Sequence, residues 1–281
     1  MTHPANDADD VERDPQPEHA VPSATPELSI IAPAHNEEDN IAGLVDDVAK
    51  AMEPTDIAFE MIIVDDGSTD ATAQRIAEAI AEHPWLRTFR MLDTPPGRGN
   101  GQSAAFHAGI RQARGSLIAL MDADRQNDPA DLPAMHAKLH AEGADMVQGD
   151  RSKDRQDTTV RRWSSWVGRT FRGLVLGDSI RDTGCSLRVF KTETGLQLPL
   201  QYKGLHRFIP VYARMLGYTV VEMDVHHRAR TAGVAKYGVW NRAIPALLDL
   251  IAVRWMRSRL KPVKCEAVEH ASEPAKAEST V

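Results

Sequence analysis

Only two cysteines, Cys185 and Cys265, occur in the 281 residues. That excludes a disulfide framework and fits a reducing, cytoplasmic setting. Nowhere do about eighteen apolar residues run together, so no membrane-spanning helix is expected. The first segment lacks the basic start and apolar run of a secretory signal. There is no strongly basic domain, so nucleic acid is not an expected partner, and no internal repeat is visible. The net charge of -7 is unevenly spread. Met1 to Glu27 holds seven acids and one base, and Cys265 to Val281 holds four acids and one base. The stretch between them stands at about +2, compatible with anionic ligands. Residues 1–27 and 263–281 read as acidic disordered tails. The remainder is long enough to bury a sizeable core in one large domain or two closely packed ones.

Within that remainder, apolar runs alternate with segments of helical period, the pattern of an α/β fold on a mostly parallel sheet. Leu28 to Ala34 reads as a buried strand. Behind a cap at Asn36, the residues Ile41, Leu44, Val45, Val48 and Met52 then repeat at helical spacing. The stretches "FEMIIVDD" and "STDATAQRIAEAIAE" supply the next strand and helix, and "TFRMLD" a third strand. A glycine-rich loop, "PPGRGNGQS", precedes a helix over Gln102 to Arg114. The strand "SLIALMDAD", a helix over Pro129 to Glu142 and the strand "DMVQGDR" follow. In such sheets ligands bind beyond the carboxyl ends of the strands. "PAHNEE", "DDGSTD" and "DADRQ" all fall there.

The segment "LMDADRQNDP" crowds Asp122, Asp124 and Asp128 into seven positions. Asp122 and Asp124 are separated by one residue, so on extended backbone both leave the same side and can share a cation. Hard ions such as Mg²⁺ or Mn²⁺ accept such oxygens, and Gln126 offers a further carbonyl. Helix capping is the competing reading for the pair and the favoured one for Asp128, beside Pro129. In "VDDGSTD", Asp70 reads as a helix cap, whereas Asp66 suits a ribose or a nucleobase edge. A phosphoacceptor receiver domain also clusters aspartates at strand ends, but it is about half this length.

Taken together, "LSIIAPAHNEEDNI", "IIVDDGSTDAT", "GNGQSAAFHAGIRQARGSLIALMDADRQNDP" and "VQGDR" resemble the successive motifs of family 2 glycosyltransferases, over about Leu28 to Arg259. The branch most resembled is that of the dolichyl- and polyprenyl-phosphate sugar transferases. The resemblance implies a GT-A fold over residues 28–239, with a donor half at about 28–151 and an acceptor half at about 152–239. It also implies that Pro33, His35, Glu37 and Asp66 line the nucleotide, with Asp122, Ala123 and Asp124 at the ribose and diphosphate. The metal, Mg²⁺ or Mn²⁺, is implied at Asp122, Asp124 and Gln126. His35 departs from the usual tyrosine.

In the second half, the resemblance brings Arg151, Arg161 or Arg162, Arg230 and Lys236 to the phosphates of donor or acceptor. Asp150 and Ala235 replace the small residue and the serine common there. Arg169 and Arg172 read either as phosphate-facing or as an exposed helix face. Cys185, in "DTGCSLRVFK", reads as a packed residue rather than a nucleophile, and His226 and His227 point to opposite faces of a strand. Over residues 240–262, Ile244, Leu247, Leu248, Ile251 and Trp255 recur at helical spacing, with Arg254, Arg257 and Lys261 nearby. This helix either packs on the core or lies on an anionic membrane surface.

The implied reaction is inverting transfer of a sugar from a nucleoside-diphosphate sugar to a polyprenyl phosphate. Asp124, Arg151, Arg230 and Lys236 would act at the reacting groups. A phosphate acceptor is already ionised and needs no strong base. A hydroxyl acceptor would need one, with Asp182 the first choice. A silent nucleotide-sugar-binding module is the remaining alternative. Attachment to the cytoplasmic face of a membrane would be peripheral or through a partner protein.

Overall fold

The computed structural model describes residues 25–95, 97–153, 159–228 and 240–261, with side chains left aside at 159–167 and 240–246. Its centre is a seven-stranded sheet built from β1 (Leu28–Ala34), β2 (Phe59–Asp65), β3 (Leu86–Arg90), β4 (Leu117–Leu120), β5 (Met146–Asp150), β6 (Arg188–Lys191) and β7 (Val220–Asp224). The strand order is β3-β2-β1-β4-β6-β5-β7. Every pairing is parallel except those of β6, which runs antiparallel to β4 and to β5. The mostly parallel α/β expectation therefore holds.

Helices cover both faces: α1 (Ile41–Met52), α2 (Thr72–Glu82), α3 (Gln102–Gln112), α4 (Leu132–Ala141), α5 (Thr159–Leu176), α6 (Thr192–Leu196), α7 (Ile209–Met215) and α8 (Trp240–Arg259). Because a strand sends successive side chains to opposite faces, the continuous apolar runs feed two cores. Leu28, Ile30 and Ala32 of β1 join Met61, Ile63, Leu117 and Ala119 beneath α1, α2 and α4. Ile31, Ile62, Val64, Ile118 and Leu120 meet α3, α7 and α8 on the other side. Gly109 lets α3 lie close to the sheet, since a Cβ there would stand 2.5 Å from Ile31 Cγ2.

Local differences from the sequence reading have physical causes. The cap of α1 is Asn40, not Asn36. Asn36 adopts a left-handed backbone (φ 57), and its side-chain oxygen accepts from the Thr69 amide at 2.8 Å, so it ties two loops together. Asp70 does serve the start of α2, accepting from the Thr72 amide at 3.0 Å. Asp128 caps the 3-10 turn Pro129–Asp131 that leads into α4 by accepting from the Ala130 amide at 3.0 Å.

At α8 the described part of the apolar stripe, Leu247, Leu248, Ile251 and Trp255, is 45–62% exposed, while Leu250 and Val253 pack inward. The core-packing reading of that stripe therefore fails. The Ile244 side chain lies outside the described set. No helix among the described residues is long and apolar enough to cross a membrane.

Candidate functional site

The carboxyl ends of β1, β2 and β4 surround a cavity of about 640 Å³. Its lining brings together Pro33, His35, Glu37, Asp66, Asp122, Ala123 and Asp124. All seven were expected to meet at the nucleotide and its diphosphate. The opposite wall is the loop Gly97 to Gly101, with Gln102 at the start of α3 and Lys203 at the rim.

The loop is held by Asp66, which is buried at the end of β2. Its two carboxylate oxygens accept from the amides of Asn100 (2.8 Å) and Gly101 (2.7 Å). Gly99 is required at this contact, because a Cβ would stand 2.3 Å from Asp66 Oδ2 and 2.9 Å from its carbonyl oxygen. The Asp66 carbonyl accepts from His35 Nδ1 at 2.7 Å. A carbonyl cannot donate, so this contact puts the proton on Nδ1. Glu37 accepts from the Asn40 side-chain amide at 2.6 Å, and its own amide donates to Thr72 Oγ1 at 2.8 Å. Three strand-end loops are thus tied into one surface.

Asp122 is backed by a polar cluster. One oxygen accepts from the Gln102 side-chain amide and the other from Ser186 Oγ at 2.5 Å. Its backbone amide donates to Asn127 Oδ1 at 2.9 Å, and Ser186 Oγ, whose one proton serves the Asp122 carboxylate, lies 2.8 Å from the same Asn127 oxygen. Both donors to the Asp122 carboxylate are neutral. Arg188 lies behind it but is committed to the carbonyls of Ser186 (3.1 Å), His206 (3.2 Å) and Cys185. Arg151 is clasped by Asp182 at 2.9 and 3.2 Å. Burial, and next the charge of Asp124, push the Asp122 carboxyl up to about 6, opposed by the Ser186 hydrogen bond and the fields of the two arginines. A divalent cation on the cavity side would relieve that excess of negative charge, so the oxygen set fits a hard ion.

Other expected residues are placed differently. Gln126 is absent from the lining; its amide donates to Asp124 Oδ1 at 3.2 Å and its carbonyl accepts from the Arg228 amide at 2.9 Å. Arg151 also stands outside the lining, in its pair with Asp182. Arg230 and Lys236 lie outside the described residues, as do the side chains of Arg161 and Arg162. Arg169 is exposed. Arg172 braces the loop after α5 through Asp178 (2.8 Å) and Thr183 (2.8 Å) rather than lying on an open face. Cys185 is buried, and burial pushes its thiol up to about 11, as suits a packed residue. His226 and His227 follow β7; His226 Nδ1 is 2.8 Å from Asp131 Oδ1, and His227 bridges to Asn127. Sequence reasoning missed Gln102, Ser186 and Lys203. The run "GQS" opening a helix after a glycine-rich loop was the one available signal for Gln102.

Comparison with known proteins agrees with this geometry. The profile described as Glycosyl transferase family 2 matches residues 29–195. A relative from Rhizobium johnstonii, named dodecaprenyl-phosphate galacturonate synthase, is 37% identical over 84% of this chain and 69% of its own length. One from Edwardsiella ictaluri, named undecaprenyl-phosphate 4-deoxy-4-formamido-L-arabinose transferase, is 32% identical over 80% of this chain and 66% of its own. The chain thus spans about two thirds of the length of these relatives.

Among solved structures, the mannosyltransferase PcManGT from Pyrobaculum calidifontis, in complex with GDP-Man and Mn²⁺, superposes with a TM-score of 0.62 at 21% identity. The match covers 83% of this chain and 65% of that one. A glucosyl-3-phosphoglycerate synthase from Mycobacterium tuberculosis gives 0.59 at 20%, covering 84% and 80%. These two likenesses concern the fold, which is of the GT-A type. With the motif order, the sheet and the acidic cavity in agreement, the chain belongs to glycosyl transferase family 2, a family of glycosyltransferases.

Proposed function

We propose that the protein transfers a sugar from a nucleoside-diphosphate sugar to a polyprenyl phosphate with inversion at the anomeric carbon. The observation that carries this reading is the pair Asp122 and Asp124 at the end of β4, facing a cavity, with no cationic partner hydrogen-bonded to the Asp122 carboxylate among the described residues. A Mg²⁺ or Mn²⁺ ion held there by the two carboxylates, with Gln126 as a further oxygen, would neutralise charge growing on the departing diphosphate. In this reading Pro33, His35 and Glu37 hold the nucleotide, Asp66 lines its pocket by clasping the loop Gly97 to Gly101, Ala123 lets the ribose approach the backbone, and Lys203 meets phosphate at the rim.

The donor half spans about 28–151 and the acceptor half about 152–239. Arg151, Arg230 and Lys236 gather the acceptor phosphate and the diphosphate, two anions that otherwise repel. A phosphate oxygen attacks without a strong base. The engagement of Asp182 by Arg151 and by the Gly184 amide speaks against a hydroxyl acceptor deprotonated by that carboxylate. The names of the two relatives above, each with a polyprenyl phosphate, point the same way.

The exposed stripe Leu247, Leu248, Ile251 and Trp255 of α8, next to exposed Arg254, Arg257 and Lys261, supports peripheral attachment to the anionic cytoplasmic face of a membrane. The decisive experiment supplies the full chain with radiolabelled nucleoside-diphosphate sugars and polyprenyl phosphate, with and without Mn²⁺ or Mg²⁺. Label entering an organic-phase, mild-acid-labile product only when the ion is present is the expected result. Label confined to water-soluble or protein products refutes the acceptor, and ion-independent transfer refutes the metal.

A further inference from the structure

We propose that Glu27, His136 and His140 form a second metal site that takes a divalent transition ion, Zn²⁺ foremost, at the end of the sheet away from the cavity. The three ligand atoms lie within 4.8 Å of one another. His136 Nε2 stands 2.8 Å from Glu27 Oε1, and His140 Nε2 stands 3.4 Å from the same oxygen. The rings meet edge to face with centroids 4.6 Å apart. Zinc bonds of 2.0–2.2 Å in a tetrahedron require ligand atoms about 3.3 Å apart, so only small side-chain adjustments are needed. Water would complete the four-coordinate shell.

The ligands sit on rigid backbone, which favours a site over a chance encounter. His136 and His140 are one helical turn apart on α4, and their neighbours Met135 and Leu139 are 0% and 2% exposed, which fixes the rotation of the helix against the sheet. Glu27 is tied by its own backbone: its amide donates to the Ala58 carbonyl at 2.7 Å, and its carbonyl accepts from the Leu117 amide at 2.9 Å. It directly precedes β1, whereas Pro33 and the cavity lie at that strand's far end, about 20 Å away at 3.3 Å per residue.

The donor chemistry also differs from that of the cavity. Two imidazole nitrogens and one carboxylate suit Zn²⁺ and its transition-metal neighbours, whereas Mg²⁺ and Mn²⁺ prefer oxygen. The ion would clamp the chain leading into β1 onto α4, the helix that follows the acidic segment Asp122 to Asp128.

The test uses the full chain freed of metal by chelation and dialysis. Zinc is titrated against a chromogenic chelator, and thermal unfolding is followed in parallel. For wild type we expect one zinc per chain with a Tm rise of roughly 5–10 °C at a hundredfold excess over Kd. The Asp124→Asn variant should keep both effects, which separates this site from the cavity. His136→Ala/His140→Ala should lose both. Should that double variant unfold, His140→Ala alone removes a half-exposed ligand and should bind zinc at least tenfold more weakly. Co²⁺ in place of zinc should give the visible bands of a tetrahedral complex in wild type and not in His140→Ala. Zinc affinity and Tm shift unchanged in His140→Ala, or loss of zinc binding only in Asp124→Asn, overturns the proposal.

Discussion

Replacing Asp66 by asparagine separates the two roles this carboxylate could have in donor binding. In the structure both oxygens are occupied by the loop, one by the Asn100 amide and one by the Gly101 amide. Asparagine keeps one acceptor and turns a donor toward the other amide. Hydrogen bonds to charged groups contribute about 1.5–3 kcal/mol each, so losing one and weakening the other should cost the ordered loop about 2–3 kcal/mol. If the loop is the far wall of the donor cavity, affinity should fall roughly 30- to 150-fold, with water at the half-exposed loop pulling the figure toward the lower end. Calorimetric titration of a nucleoside diphosphate in Mn²⁺ reads this directly. Gly99→Ala tests the same clasp without touching the carboxylate: its Cβ, 2.3 Å from Asp66 Oδ2, forces the loop away. We expect the two variants to behave alike. Donor affinity within threefold of wild type in Asp66→Asn would refute the clasp, and a defect in Asp66→Asn but not in Gly99→Ala would mean that Asp66 meets the nucleotide itself.

Asp122→Asn should raise Tm relative to wild type at pH 7.5 in chelator, and the gain should shrink toward pH 5. The folded-state pKa of Asp122, about 6, lies above its ordinary value, so stability is present at low pH and lost as pH rises through it; Mn²⁺ should raise the wild-type Tm and close the gap. Glu60 is 2% exposed and accepts from Ser29 Oγ (2.8 Å), Arg87 (2.7 Å) and Arg114 (2.9 Å). Glu60→Ala should destabilise by about 3–5 kcal/mol in denaturant titration while leaving donor affinity intact, since this network lies at the opposite end of the sheet from the cavity. Lys203→Met, at the cavity rim, should weaken donor binding roughly tenfold without moving Tm, as expected for an exposed cation meeting phosphate.

The strands of the first half were legible because buried parallel strands are short apolar runs closed by aspartate, glycine or proline. β1 spans Leu28–Ala34, the range its sequence suggested. β6 was not legible. Four residues, Arg188–Lys191, give too short a pattern, and two of them are basic. Arg188 is nevertheless buried, because its guanidinium finds the nearby carbonyls of Ser186 and Cys185 and that of His206, which only the tertiary fold brings to it. The same limit governed the site. Pro33 to Asp124 could be read from ordered motifs, whereas Ser186 reaches the Asp122 carboxylate, and Lys203 the cavity rim, from segments 60 or more positions away, for which no local spacing exists. At α8, helical period was plain but direction was not. Leu250 and Val253 compete with Leu247, Leu248, Ile251 and Trp255 as the inward stripe, and periodicity alone cannot rank two apolar stripes on one helix.

The crowding of acids in "LMDADRQNDP" can now be divided by what each carboxylate touches. Asp128 is compensated within the protein, by the Ala130 amide and by Arg228 at 2.7 and 3.1 Å. Asp122 is treated in the opposite way. Two arginines lie near enough to lower its pKa, yet Arg188 is committed to carbonyls and Arg151 to Asp182, so neither bonds to it. Had either guanidinium closed onto Asp122, the carboxylate would be a satisfied ion pair with little affinity left for a cation in the cavity. Neutral donors from Gln102 and Ser186 hold its orientation without cancelling its charge. On the metal reading proposed above, the pairing of Arg151 with Asp182 has a further effect, keeping a nearby cation from neutralising the carboxylate that faces the cavity. Asp182→Asn should release Arg151 toward Asp122 and weaken Mn²⁺ binding, although Asp182 itself never meets the ion. Unchanged Mn²⁺ affinity in that variant would refute the restraint.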